Sequence, residues 1–230
     1  MKVSIQFTDD SGFVPSEFHP TPAKQSLPDW YANLKPFVSA SVPKENRQTS
    51  KRCVPMLDSF TAGYILYTPV DIEVSISADG KYHYRWAHKL AVEFLQPWQA
   101  GDHALVDERY EAIPKMPNPW GVKTPPGYSC LYVPPVNRDD AIFEIFSGVI
   151  DTDKYHQGGS LPFLFKQKDF EGTIPAGTPM AQVIPFRRES YEMKMGDDSE
   201  RSLMEKQFNA MRLVFVNGYR KMFWSPKSYK

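Results

Sequence analysis

A chain of 230 residues carrying 27 Lys and Arg against 27 Asp and Glu has a formal net charge of zero. That balance excludes the overall basic field with which most proteins grip nucleic acid or an anionic membrane, so nucleic acid is a disfavoured partner and only a local patch stays open to one. Hydrophobic residues at 41% and charged residues at 23% describe a chain that buries a core, long enough for one large domain or a domain with extensions. Its 21 prolines and 14% aromatic content disfavour long helices and favour short strands joined by rigid loops, which predicts a mainly β class. No run approaches the roughly 20 apolar residues of a membrane span. The opening MKVSIQFTDD lacks the apolar core of a signal peptide, so a soluble, cytoplasmic protein with no membrane partner is expected. Cys53 and Cys130 are too few and too far apart for a disulfide framework or a thiolate zinc site, and both read as reduced thiols.

Residues 1 to 50 hold Pro15, Pro20, Pro22, Pro28, Pro36 and Pro43, which forbid one long helix or a central strand. The same segment carries Phe13, Phe18, Leu27, Trp30, Tyr31, Leu34 and Phe37, which need burial. A proline-rich N-terminal arm packed over the rest of the protein is predicted, with one short helix starting around Leu27 to Tyr31.

Residues 51 to 190 are predicted to form a β domain. Val70, Ile72, Val74 and Ile76 alternate with Asp71, Glu73 and Ser75, the period of a half-buried strand. Asp79-Gly80 then signals a hairpin turn, and Lys81 to Trp86 reads as the returning strand. Further strands are expected at Tyr128 to Val133, Ile142 to Ile150, Leu161 to Lys166 and Met180 to Arg187. Residues 191 to 230 change texture: Asp198 or Ser199 is positioned to cap a helix, and Met204, Phe208, Met211 and Phe215 share one helical face, flanked by Leu203 and Val214. Such a stripe predicts a core or subunit contact, with the helix ending near Asn217-Gly218 and a basic, aromatic tail following.

The stretch Ser147 to Gly159 carries Asp151 and Asp153, two residues apart and therefore on one face of a continuing strand. A carboxylate there can orient a water, act as a general base or help hold a hard cation; equally, Asp beside Gly is a common turn device. His83 and His88 lie five apart, and His103 and His156 stand alone, so no pair has the spacing of a helical zinc site. Structural roles are expected for them, His156 near Asp153 being the one of interest. Trp86, Trp98, Trp120 and Tyr132 either line a cleft or pack in a core.

The order Thr61 to Tyr67 (TAGYILY), Pro126-Gly127-Tyr128, Gly148 to Asp153 (GVIDTD) and Gly177 to Ile184 (GTPMAQVI) resembles the motif series of the trimeric dUTPase family over about 125 residues. The resemblance implies a β-clip or jelly-roll-like domain, a homotrimer, a deoxynucleotide ligand bound between subunits, and Mg2+ as cofactor for hydrolysing deoxyuridine triphosphate. It further implies that Asp151 is the water-activating, catalytic acid and that Gln182 is the glutamine of the fourth motif. Asp153 and Tyr155, in the same segment as Asp151, are further ligand-binding candidates; no metal ligand is assigned.

Three departures weaken the implied chemistry. Ile65 stands where the family has an acid after Ala-Gly-Tyr, removing a carboxylate associated with the metal. Val133 to Asp139 replaces the Arg-Ser-Gly phosphate segment, leaving Arg138 as the remaining candidate phosphate contact. No glycine-rich C-terminal lid is recognisable, since Val214 to Lys230 contains only Gly218. Losing metal and phosphate donors costs triphosphate hydrolysis many powers of ten in rate. Whether any reaction is catalysed therefore stays open between two expectations. One is a diverged dUTPase-like protein that binds a nucleotide with altered or lost hydrolysis. The other is a non-enzymatic oligomeric assembly protein using the β-clip as a scaffold and the terminal arms as couplers. The chain as a whole also resembles, without a sharp motif, proteins of tailed phages, which implies a host-cytoplasmic or virion location.

Overall fold

The computed structural model describes residues 3–39, 41–43, 47–86, 93–214 and 217–230. Two residues singled out above, His88 and Phe215, lie outside the described residues. The elements begin with β1 (Gln6–Asp9), β2 (Thr21–Pro22), α1 (Asp29–Ala32), α2 (Val54–Thr61), β3 (Tyr64–Tyr67), β4 (Ile72–Ile76), β5 (Tyr82–Trp86) and β6 (Phe94–Leu95). They continue with β7 (Ile113–Met116), β8 (Trp120–Lys123), β9 (Tyr128–Val133), β10 (Phe143–Ile145), β11 (Gly148–Ile150) and β12 (Leu161–Phe165). Last come β13 (Gly172–Ile174), β14 (Pro179–Arg187), α3 (Asp198–Leu213) and α4 (Gly218–Met222). The protein is mainly β, in four antiparallel sheets among the described residues: β1-β8, β10-β12-β7-β6, β11-β9-β14-β3-β2 and β13-β4-β5. No helix in this described part is long and apolar enough to cross a membrane.

The period-two pattern of β4 buries Ile72 and Val74 and exposes Glu73 and Ser75. Its hairpin to β5 turns at Gly80, where φ of 80° suits glycine and the Gly80 amide donates to Ser77 O at 2.8 Å. Above this hairpin lies an aromatic core in which Phe165 sits 5.0 Å from Tyr82 and Phe163 sits 5.1 Å from Phe143, centroid to centroid. Edge and tilted ring contacts at such distances add to the burial of each ring. The largest sheet depends on β14, which pairs with β9 on one side and β3 on the other, so its backbone groups are satisfied across both edges.

The first fifty residues enter the sheets directly. β1 pairs with β8, and β2 extends the largest sheet by pairing Thr21 with Ile65. Tyr31 on α1 is buried against Phe60 of α2 at 4.3 Å between ring centroids. The helix α2 has no counterpart among the sequence expectations. Pro55, near its start, is compatible with a first helical turn because the missing N–H has no intrahelical partner there.

Three expectations need correction. The single strand expected over Ile142 to Ile150 is two strands in different sheets: Ile145 pairs with Phe163, whereas Gly148 pairs with Tyr132. The chain bends between them because each half pairs with a different partner. The cap of α3 is Asp197, whose carboxylate accepts from the amides of Ser199 and Glu200, and the helix ends at Leu213 before Asn217 takes a left-handed φ of 63°. Of the four large aromatics, Trp120 and Tyr132 are core residues and Trp98 is exposed, so they do not line one cleft.

Gly63 joins α2 to β3 with φ of +70°, and a Cβ added there would collide with the Val183 carbonyl of β14. Gly63→Ala is therefore expected to lower unfolding free energy by at least about 2 kcal/mol, read from urea titration by circular dichroism.

Candidate functional site

Asp151 and Asp153 sit on a tight turn just beyond β11. The Asp151 carbonyl accepts from the amides of Lys154 and Tyr155, both at 2.9 Å, which curls the chain immediately after the strand. Between the two acids, Thr152 points inward, fully buried, and its hydroxyl lies 2.7 Å from that of Thr124 and 3.4 Å from Cys130 Sγ. With Thr152 fixed inside, both neighbouring carboxylates are brought to Arg188 at the end of β14.

The Arg188 guanidinium organises the cluster. Its Nη1 donates to Asp153 Oδ1 at 2.8 Å, to Ser129 Oγ at 3.0 Å and to Tyr128 O at 3.2 Å, and lies 3.1 Å from Asp151 Oδ1. Its Nη2 pairs with Asp153 Oδ2, which also accepts from the Gly127 amide at 2.8 Å. Asp151 Oδ1 accepts from Ser129 Oγ at 2.6 Å. The two acids differ in exposure: the Asp153 side chain is 6% exposed and that of Asp151 is 52% exposed.

These contacts set the charge states. Hydrogen bonding from Arg188 and then from the Gly127 amide holds the Asp153 carboxyl down at about 2. The Ser129 hydroxyl, followed by the charge of Arg188, holds Asp151 below the ordinary carboxylate range. Both acids are anionic at neutral pH and are poor proton acceptors, because a general base works best with its pKa near the operating pH.

The other sequence candidates lie elsewhere. Gln182 is 1% exposed, with its Nε2 donating to Ser59 O at 2.9 Å and Ala62 O at 2.7 Å and its Oε1 accepting from the Val136 amide at 3.1 Å. Arg138 is clamped by Asp140, at 2.9 and 3.0 Å, and donates to Ser26 O at 2.8 Å. Gln182 and Ser129 face positions four residues apart along β14, about 13 Å at strand rise, so the Gln182 and Arg138 pair does not meet the Asp151 cluster. Tyr155 is exposed beyond the same turn. Ile65, at the position of the missing acid, is buried in β3.

The described residues do not by themselves build a cage for Mg2+, which ordinarily takes one or two carboxylates with waters and substrate phosphates. Both carboxylates face a guanidinium, and the described residues contain no group of three His, Cys, Asp or Glu able to hold a metal. A hard dication needs several oxygens free of competing cations.

Beside the cluster is a cavity of about 440 Å³ lined by Tyr64, Tyr128, Tyr229, Thr124, Lys230 and the apolar Val3, Ile5 and Pro185. Thr124 and Tyr128 connect it to the acidic turn, the Thr124 amide donating to Thr152 O at 3.1 Å and the Tyr128 carbonyl accepting from Arg188. The C-terminal residues reach this wall because Asp58 of α2 accepts from Trp224 Nε1 at 3.0 Å and from Lys227 Nζ at 2.6 Å, and Tyr229 packs edge-on to Tyr64. Sequence reasoning missed Arg188, Ser129 and Tyr229. Arg188 directly follows β14, and nothing in the chain announces that Ser129 is opposite Phe186.

No protein-family model and no curated protein sequence matches this chain. Among solved structures it is similar to a mutant dUTPase from phage phi11 of S. aureus, at 12% identity and TM-score 0.36, covering 84% of this chain and 97% of that one. A mutant dUTPase of Staphylococcus bacteriophage 80alpha, solved with dUpNHpp, gives 12% identity and TM-score 0.36 over 84% and 88% of the two chains. A second mutant of the 80alpha enzyme gives 13% and 0.37 over 86% and 91%. These are proteins of the family whose motif order the sequence resembles. At such values the likeness decides no chemistry, which rests on the residues described above.

Two outcomes test the geometry. Asp153 carries a depressed folded-state pKa, so its contribution to stability is complete above its ordinary 3.8 and is lost as pH falls toward about 2. Asp153→Asn is expected to melt below the wild type at pH 7, with the gap closing between pH 4 and 2 in thermal scans. Gln182→Leu leaves two carbonyls and an amide without their buried partner and is expected to cost on the order of 3 kcal/mol in urea titration.

Proposed function

We propose that this protein is a diverged dUTPase-like binder of a deoxynucleotide that has lost efficient triphosphate hydrolysis. The observation that carries the reading is the Arg188 clamp. It occupies the Asp151 carboxylate on the side shared with Ser129, lowers its basicity and leaves no second carboxylate free of a cation. An acid so held positions a water or sugar hydroxyl as an acceptor but is a weak base for activating it.

The neighbouring cavity supports the ligand class. Its volume of about 440 Å³ suits a mononucleotide, its three tyrosines offer faces and edges to a planar base, and Lys230 brings a cation for a phosphate. Arg138, the phosphate candidate of the sequence, and Gln182, its fourth-motif glutamine, are saturated by internal partners, which favours recognition nearer the turn. A homotrimer accompanies this reading, in keeping with the motif resemblance. The non-enzymatic assembly reading is favoured by a separate observation, the exposed segment after Arg188.

The test is a thermal-shift titration with dUMP and dUTP, each with and without magnesium, beside a pyrophosphate-release assay. A rise of several degrees at ligand far above its Kd is expected for a nucleotide, reduced in Tyr229→Ala and in Asp151→Ala. Pyrophosphate release is expected to stay at the uncatalysed level. Absence of a shift with every nucleotide overturns the binding reading, and rapid release overturns the loss of hydrolysis.

A further inference from the structure

The zero net charge of the chain is unevenly laid out. Residues 29 to 61 and 206 to 230 together hold eleven Lys and Arg against three Asp and Glu, which leaves sixteen against twenty-four for the rest. The fold brings these two segments together. Arg52 donates to Asn217 Oδ1 at the start of α4, and Asp58 of α2 accepts from Trp224 Nε1 and Lys227 Nζ. Arg220 and Lys221 lie within one helical turn of Asn217, the Lys221 amide donating to its carbonyl at 3.0 Å, and both are exposed. Among the described residues none of Lys35, Arg52, Arg220 and Lys221 enters an ion pair, and Asp58 is already paired with Lys227.

The same face is aromatic. A groove of about 510 Å³ is lined by Trp30 and Phe37, with Lys35 in its wall. Phe37 is 45% exposed, and the Arg52 guanidinium lies 4.5 Å from the centroid of its ring. Arg220 lies 5.2 Å over the Trp224 ring, and Tyr219 and Phe223 beside it are exposed. Rings interleaved with cations that no carboxylate neutralises match the two halves of one ligand, the phosphates of a backbone and the flat faces of unpaired bases. A duplex keeps its bases inside the stack and offers none to a groove. A bilayer is gripped by apolar side chains that project into it, whereas Trp30 and Phe37 wall a concavity.

We infer that this face, from α1 across Arg52 to α4, binds single-stranded nucleic acid, a base entering the groove of Trp30 and Phe37 while Arg52, Arg220 and Lys221 hold backbone phosphates. The neutral total conceals such a patch, because acids elsewhere cancel it in the sum. The field near a surface is set by charges within about a Debye length, roughly 8 Å at physiological salt. This binding goes beyond the mononucleotide reading and uses none of the residues around Arg188.

The experiment is fluorescence anisotropy of a labelled oligothymidylate, and of an oligouridylate beside it, each of about 20 nucleotides, titrated with the full chain. Micromolar binding of at least one strand is expected at about 50 mM salt, weakening about 20-fold by about 200 mM, as three phosphate contacts on a single strand predict. Arg220→Glu with Lys221→Glu is expected to weaken it at least about tenfold with unchanged circular dichroism, both side chains being exposed. Phe37→Ala is expected to weaken the strand about tenfold through one lost base stack and to leave heparin, which has no bases, as it was. Should Phe37→Ala fail to fold, competition supplies the second measurement: a duplex of the same length is expected to displace the label about tenfold less well than the unlabelled strand. No anisotropy change with either strand, an affinity unmoved by the α4 variant, or a duplex or phosphatidylserine vesicles competing as well as the strand overturns the inference. Equal weakening of heparin by Phe37→Ala overturns it too. The thermal shift with dUMP is expected to survive the α4 variant, so the two binding readings fall separately.

Discussion

Gln182 sits in the interior of the largest sheet's supporting layer with 1% of its surface exposed, so its amide has to be satisfied by the protein itself. Its two donors take the carbonyls of Ser59 and Ala62, which the ending of α2 leaves without helical partners, and its acceptor takes the Val136 amide. One side chain thereby fixes a helix end and a loop to the central strand β14. The consequences spread outward: once the 134–140 loop is held, Arg138 reaches Ser26 and Asn137 O receives Trp30 Nε1 at 3.1 Å, which secures α1 and its neighbours over α2. The proline-rich beginning of the chain is positioned by polar bonds to this loop as much as by its own aromatic burial.

The other end of β14 is governed by charge. Two carboxylates share one guanidinium, with the charge of Lys154 also acting on both, and the half-exposed Asp151 presents its share of the negative charge to solvent. A cation approaching the two acids competes with Arg188 for their oxygens. A hydroxyl or amide of a ligand meets an acceptor instead. The acceptor character of Asp151 thus follows from the way Arg188 and Ser129 hold it, and not from its place in the motif order alone.

The strands β4, β5, β9, β12 and β14 were legible in the sequence and lie within a residue or two of their expected positions, β4 because its apolar residues alternate with one face buried, and β12 and β14 because they are short apolar runs buried on both faces. The β7 and β8 strands were not, since Pro114 and Gly121 interrupt the pattern, and α2 was hidden by its apolar, proline-containing first turn. Sheet membership was illegible for β10 and β11, because periodicity reports which face is buried and says nothing about the partner strand. In the site, the turn bearing Asp151 and Asp153 was visible and Arg188 was not, since a salt bridge across 35 residues depends on register. For Gln182 and Arg138 the residue types were noticed, but their internal partners are properties of the folded chain alone.

The helix α3 forms with little burial of its own apolar side chains. Sixteen residues are near the length at which an isolated helix is marginal in water. Its own supports are modest: the Asp197 cap, acids in the first turn, the Arg201 pair with Asp198 at 2.9 Å and exposed to solvent, and α4 packed at its far end, where Gly218 lies against Met211. Caps and surface pairs of this kind contribute tenths to about one kcal/mol each, whereas most helical stability in proteins comes from burying an apolar face. A helix that spends Leu203, Met204 and Phe208 on solvent lacks that term within one chain.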